Sequence, residues 1–370
     1  MSGAVARDRL SNLPSSRPEP LLEVRDLRTW FQTPRGLLRA VDGVSFELHE
    51  GQTMGIVGES GSGKSVLVRS IMNLLPPNAH DPGGGRVLFD GKDVRSLPRA
   101  QAKHFWGPQI AMIFQDPMTS LNPVKKVGAQ LTEAMRYHLR ISKQEASDRA
   151  LELMHQVGIP EPRRRLGQFP HELSGGMRQR VMIAIAISCE PSLLIADEPT
   201  TALDVTVQKQ ILDLLDRVQR ERNMSMILIT HDLGVVGGHA DKVAIMYAGQ
   251  FVEMADTERL FGGMRHPYTE ALLNSIPQID RPSHTRLEAI SGRPPDMVVV
   301  PPGCRFAPRC KYAQQHCLDH DPELVADEHA EQLHRCFYPV GTAENEKAIR
   351  ANREAGRTAT GLGLDATVVS

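Results

Sequence analysis

The chain has 370 residues, of which 41% are hydrophobic and 24% charged, an ordinary globular composition long enough for one large domain and an appendage. Its 43 Lys and Arg against 44 Asp and Glu leave a formal net charge of -1, so no global field favours nucleic acid or an anionic membrane surface. The longest apolar runs, such as VMIAIAI at 181–187, fall short of the roughly 18 residues needed to cross a bilayer, so any transport role requires separate membrane subunits.

Residues 1–20 carry no apolar h-region and read as a flexible arm rather than a secretory signal. Beyond them, short apolar runs alternate with helical patterns, which predicts a mostly parallel sheet with helices on both faces. TMGIV at 53–57 reads as a buried strand, GESGSGKS at 58–65 as a turn fitting G-x-x-x-x-G-K-[ST], and KSVLVRSIMNLL as the helix that follows. In such a turn Gly58, Gly61 and Gly63 let the backbone approach phosphates, and Ser60, Ser62 and Val66 lie beside them. Lys64 is placed to reach the β- and γ-phosphates and Ser65 to bind Mg²⁺.

IAMIF at 110–114 reads as a second buried strand, ending at Gln115. Between Asp116 and Leu173 strand-like runs stop, which predicts a helical subdomain over about 117–180. Ser142 and Glu145 form a capping box, Ala146, Ala150, Leu153, Met154 and Val157 an apolar stripe, and Gly158 a stop. LSGGMRQR at 173–180 leads into the helical run VMIAIAIS, so Ser174 caps a helix whose amino end offers N–H groups and a positive dipole to an anion. SLLIA at 192–196 and MSMILIT at 224–230 read as further strands. The first delivers Asp197 to a magnesium shell and Glu198 toward an attacking water; the second ends at His231. Polar residues at strand carboxyl ends are where open α/β sheets bind ligands.

After a proline-rich stretch from Pro277 to Pro302, Cys304, Cys310, Cys317 and Cys336 follow with five, six and eighteen intervening residues. Four thiolates suit zinc or an iron–sulfur cluster, with free thiols as the third reading. Close C-x-x-C pairs are missing, and Arg305, Arg309, Lys311 and Arg335 would offset the negative charge of a cluster. Cys189 reads as a small buried apolar residue. Five cysteines without a secretory signal predict a reducing, cytoplasmic setting, and residues 341–370, rich in small and polar types, read as a disordered tail.

The phosphate loop together with LSGG resembles the ATP-binding-cassette (ABC) ATPases. FQDPMTSLNP at 114–123, FPHELSGGMRQR at 169–180, DEPTTALDVTVQ at 197–208 and HPYTEALL at 266–273 narrow the resemblance to ATPases of oligopeptide and dipeptide importers, over roughly residues 22–340. That resemblance implies an α/β P-loop NTPase cassette over 21–272, with a RecA-like core, an antiparallel β subdomain and the inserted helical subdomain. A small Cys-rich C-terminal extension over 273–340 would follow. Glu198 would be the general base, Gln115 the Q-loop residue joining Ser65 and Asp197 around Mg²⁺, His231 the switch histidine, and Asp204 in TALD the D-loop residue. An aromatic ahead of the phosphate loop would stack on adenine, Phe31 being preferred over Trp30.

The resemblance further implies head-to-tail pairing, in which Ser174, Gly175 and Gly176 touch the γ-phosphate held by another cassette. Implied partners are a second, paralogous ATPase subunit, two transmembrane permease subunits and an extracytoplasmic solute-binding protein, with the chain peripheral at the cytoplasmic face of the membrane. In such ATPases a similar cysteine set holds a 4Fe-4S cluster; Zn²⁺ is the alternative. The expected function is ATP-driven import of peptides or similar small solutes. The rival, a soluble ABC ATPase acting on nucleic acid or ribosomes, is weakened by the single cassette and the lack of coiled coils or a basic surface.

Overall fold

A small antiparallel sheet opens the chain. Strands β1 (Leu22–Thr33) and β2 (Gly36–Leu48) pair along their length, with β5 (Arg86–Phe89) and β6 (Lys92–Asp93) beyond β1 and the short β4 (Ala79–His80) also on β1. The structure, a computed structural model, describes residues 19–116, 120–201, 203–276, 290–327 and 332–364. Most of the 1–20 arm and the last six residues of the tail therefore lie outside the described residues, as do 277–289 of the proline-rich stretch.

The main sheet has eight strands among the described residues, in the order β12 (Val325–Ala326), β13 (Gln332–His334), β11 (Gln250–Asp256), β10 (Lys242–Tyr247), β3 (Thr53–Val57), β9 (Ser225–Thr230), β8 (Leu193–Asp197), β7 (Ile110–Ile113). From β10 to β7 neighbours run parallel; β11 and β13 are antiparallel. Strands β3, β8 and β9 are buried at every residue, which is why they read as continuous apolar runs rather than alternating ones. Met54, Ile56, Leu193, Ile195, Ile227 and Ile229 pack on one face with Leu67, Val68 and Ile71 and with Val41, Val44 and Phe46 of β2. Leu194, Ala196, Met226 and Leu228 pack on the other with Ile183, Ile211, Leu215 and Val218. Each such side chain stabilises the sheet by about 1.5–3 kcal/mol through burial, so the strand ends are held rigidly.

After β7 the chain forms helices Val127–His138, Lys143–Gln156 and Pro162–Leu166. The second opens at Ser142, whose Oγ accepts from Glu145 N at 3.1 Å, and buries Ala146, Ala150, Leu153 and Met154. It closes with Gly158 N donating to His155 O and Ile159 N to Met154 O, both at 2.9 Å, the paired bonds of a Schellman motif. The helix after the phosphate loop is shorter than its sequence suggests. Lys64–Ile71 ends before Asn73, which takes φ 54°, and Pro76 and Pro77 follow.

Two features of the C-terminal region differ from the sequence reading. It is stitched to the main sheet, since β13 pairs with β11 through Glu253↔His334, Met254↔Leu333 and Ala255↔Gln332. Its tail is also not disordered from residue 341, because Ala343–Glu354 is a helix capped by Thr342, whose Oγ1 accepts from Asn345 N at 3.2 Å. Polar anchors replace apolar ones here. Buried Asn352 donates from Nδ2 to Lys311 O (2.9 Å) and Ala313 O (3.2 Å), while Gln314 Nε2 donates to its Oδ1 (2.8 Å). Low hydrophobicity alone therefore misjudged this segment. Among the described residues, no helix is long and apolar enough to cross a membrane.

Candidate functional site

The registers Val57↔Thr230, Asp197↔Ile229 and Ala196↔Ile113 align the carboxyl ends of β3, β9, β8 and β7. The residues that follow, Gly58, His231, Glu198 and Gln115, therefore leave the sheet along one edge. Helix Lys64–Ile71 begins there without a side-chain cap, so its first N–H groups face the mouth of the loop. Two glycines are required by space: a Cβ on Gly58 would lie 2.1 Å from Met246 O, and one on Gly63, at φ 106°, 2.2 Å from Ala40 O.

Lys64 is buried at 4% exposure, with Nζ donating to Gly58 O at 2.7 Å and Glu59 O at 3.0 Å. Burial lowers its pKa, outweighing the nearby carboxylates of Glu198 and Asp197. Ser65 Oγ donates to Asp197 Oδ1 at 2.8 Å, whereas Asp197 Oδ2 is buried without a partner, and burial raises the Asp197 pKa. A buried orphan carboxylate oxygen beside a serine hydroxyl is the donor set a hard divalent cation such as Mg²⁺ uses, so these residues fit that ion. Ser62 likewise has a buried, unpartnered Oγ; Ser60 and Gly61 are exposed at the loop tip, and Val66 is half-buried in the first helical turn.

Glu198 is the hub. Its Oε2 accepts from Gln115 Nε2 at 2.8 Å and Thr201 Oγ1 at 2.9 Å, with His231 Nδ1 at 3.6 Å, and its Oε1 lies 4.0 Å from Lys64 Nζ. Its backbone sits at φ 46°, a conformation that costs a non-glycine residue energy and clusters at functional sites. Gln115, His231, Glu198 and Lys64 thus meet in space, as their strand-end positions suggest. Thr201 was missed by sequence reasoning; its place three residues after Glu198, in a turn closed by Thr201 N donating to Glu198 O, was the available signal.

Ser174, Gly175 and Gly176 take no part in that hydrogen-bond set. Ser174 is exposed and caps helix Gly175–Ile187, accepting from Met177 N at 3.3 Å. Asp204 caps Val205–Arg222 through Val207 N (3.0 Å), and the adjacent Val205 is 83% exposed. In β1, Phe31 is half-buried opposite Leu38 and Ala79, while Trp30 carries the Arg39 guanidinium 4.8 Å above its ring.

Cys304, Cys310, Cys317 and Cys336 line one small cavity of about 10 Å³ with His266, Phe306 and Tyr312, room for about one water. Burial pushes the Cys304 thiol up to about 12 and raises Cys310, Cys317 and Cys336 as well. The thiols share a cavity wall without converging as ligands: among the described residues no group of three or more His, Cys, Asp or Glu is placed to hold a metal ion. Cys189 is buried elsewhere, beside Ser188.

Residues 41–201 match the family model of the ABC transporter, and residues 252–317 that of the oligopeptide/dipeptide transporter C-terminal region. The chain is 51% identical over 311 residues to the oligopeptide transport ATP-binding protein OppD of Bacillus subtilis (strain 168), covering 84% of this chain and 87% of the relative. The chain belongs to the oligopeptide/dipeptide group of ABC transporter ATP-binding proteins. It is 52% identical to the dipeptide transport ATP-binding protein DppD of the same organism (79% and 87% covered), and 47% identical to OppD of Escherichia coli (strain K12; 89% and 96%). The dimeric ATP-binding cassette MJ0796, in a post-hydrolysis state with ADP and Pi, superposes with a TM-score of 0.58 at 25% identity, covering 64% of this chain and 98% of that one. As a member of this group the chain is an ABC ATPase, and the reading as a nucleic-acid or ribosome ATPase is set aside.

Proposed function

We propose that this ABC ATPase powers the import of oligopeptides or dipeptides through separate membrane subunits. The observation that carries the hydrolytic half is the convergence of Gln115, Thr201, His231 and Lys64 on Glu198. Glu198 accepts a proton from water as the water oxygen bonds to the γ-phosphorus and the bond to the β-bridging oxygen breaks, releasing ADP and phosphate. Gln115 and Thr201 fix the carboxylate, His231 faces the γ-phosphate from the open side, and Lys64 exchanges loop carbonyls for phosphate oxygens. Ser65, Asp197 and Gln115 would hold Mg²⁺, which would neutralise charge on the phosphates. Gly58, Ser60, Gly61, Ser62, Gly63 and Val66 wrap the phosphates, and Phe31 stacks on adenine, a reading favoured because Arg39 already covers Trp30.

Completion of the site by Ser174, Gly175 and Gly176 of a second cassette, a paralogue of this chain, is supported by the exposure of Ser174 and Val205 and by the dimeric state of the related MJ0796. Asp204 joins the two sites across that interface. The helical subdomain holds a groove of about 1060 Å³ lined by Val124, Lys125, Thr132, Arg136 and Tyr137, with Val124 80% and Tyr137 53% exposed. We assign it to one of two permease subunits, which place the chain at the cytoplasmic face and receive cargo from an extracytoplasmic solute-binding protein.

The Cys-rich extension over 273–340 and a 4Fe-4S cluster on its cysteines belong to the same reading. The cavity shared by the four cysteines favours a cluster, and the small void counts against one. Anaerobically purified protein is expected to be brown with about four irons per chain; colourless protein with one zinc reverses that assignment. The cargo is tested by vesicles holding the full complex: ATP-dependent uptake of a labelled peptide supports it, and uptake of oligosaccharide or nickel complexes without peptide overturns it.

A further inference from the structure

The phosphate loop is gripped from outside the nucleotide machinery. Glu59, the loop's second residue, places its carboxylate against Arg309: Nη1 donates to Oε2 at 2.7 Å and Nη2 to Oε1 at 2.9 Å, a bidentate pair spanning 250 positions of sequence. Planar fork geometry of this kind is stronger and more directional than a single contact. The Arg309 side chain is 4% exposed, and its remaining donors are used on Ser291 O (2.9 Å), Ile290 O (3.3 Å) and Tyr247 Oη (3.3 Å). It is therefore built around one carboxylate. The same residue, Glu59, donates its backbone N–H to Tyr268 Oη at 2.9 Å and offers its carbonyl to Lys64 Nζ at 3.0 Å and Ser62 N at 3.2 Å. Side chain, amide and carbonyl of one loop residue are all held.

We propose that Arg309 is a positioning residue for nucleotide binding: by clamping Glu59 it holds the Gly58–Lys64 backbone in its phosphate-receiving shape. Burial works against the Arg309 charge, but its hydrogen bonds to Glu59 and Tyr247 outweigh that cost and hold its pKa above the ordinary value. Arg309 directly precedes Cys310, and Phe306 packs on the Tyr247 and Tyr268 rings at 5.3 Å. The segment 305–310 thereby links the cysteine cavity to the loop, so ATP affinity is set partly by the C-terminal region.

The inference rests on ATP being the ligand of this loop. The test is a double-mutant cycle in the assembled transporter with Glu59→Gln, Arg309→Met and both together, reading the Kd of a fluorescent ATP analogue, the KM and kcat for ATP, and the melting temperature. Each single change is expected to raise Kd and KM about tenfold, with the smaller effect on kcat, and the double variant to recover most of the loss. Arg309→Lys should recover part of it, because it keeps the charge and loses the fork. Because Glu59→Gln keeps the shape of a half-exposed side chain, it reports even if Arg309→Met folds poorly. Wild-type Kd in the folded single variants, strict additivity in the cycle, or a lowered melting temperature with unchanged Kd would each overturn the clamp. Failure of the wild type itself to bind the analogue would instead overturn the ATP reading.

Discussion

The cluster around Glu198 stands at the ends of sheet strands, the cavity between the four cysteines on loop residues and one short helix, and the two are finished in opposite ways. The first stays open: Asp197 Oδ2 and Ser62 Oγ are buried without partners, and His231 is 61% exposed. The second is mostly enclosed, lined by Phe306, Tyr312 and Phe337, and burial raises the pKa of its thiols. Unpaired polar atoms at an accessible edge suit a ligand that comes and goes, whereas an enclosed wall suits something built in once. The linking segment carries two buried arginines, Arg305 and Arg309, which tie the enclosed region to the exchanging one.

The largest effect that would sharpen this contrast is on Asp197. Asp197→Asn removes the anionic donor beside Ser65, and ATP turnover by the complex should fall at least about 100-fold with a raised magnesium requirement, while the cysteine cavity and the melting temperature stay near wild type. Turnover that survives would show that the open site is not a magnesium site. Next is Arg305, which is 6% exposed, donates to Ala248 O at 2.6 Å and pairs with Asp42 at 2.5 Å. Arg305→Met leaves the buried Asp42 carboxylate with only the more distant Arg39 guanidinium at 3.9 Å and should cost about 3 kcal/mol in denaturant unfolding, with Asp42→Asn in the same chain restoring much of it. Equal stability of the single variant would mean that the enclosed region is not anchored through this pair.

The smallest effect lies far from both regions, where His239 Nδ1 meets Asp216 Oδ2 at 2.5 Å. The hydrogen bond that His239 donates to the Asp216 carboxylate raises the His239 pKa above 6.5, so its contribution is complete below pH 6.5 and is lost as pH rises through the folded-state value. Unfolding measured between pH 6 and 9 should show wild-type stability declining by up to about 1 kcal/mol relative to His239→Gln. A constant difference across that range would remove the charge from the account.

What could be read from the sequence was local. GESGSGKS, LLIADEP and LSGG each carry their chemistry within a few residues, and β3, β7, β8 and β9 are short apolar runs whose ends fall within a residue of the expected ones. What could not be read was long-range or polar. Arg309 and Glu59 meet across most of the chain; β13 has three residues and no periodicity to find; and helix Ala343–Glu354 is fastened by Asn352 and Gln314 rather than by an apolar stripe. The long β1–β2 hairpin was implied only by family resemblance, because its register shifts between Val24 and Trp30 blur the alternation.

Single-turnover hydrolysis by the assembled complex carrying Glu198→Gln, with bound nucleotide followed in the same sample, tests the central claim most directly. Loss of the carboxylate that Gln115, Thr201 and His231 surround should slow cleavage roughly 10²- to 10⁴-fold while ATP stays bound. Cleavage at the wild-type rate would contradict the assignment of Glu198 and the mechanism built on it.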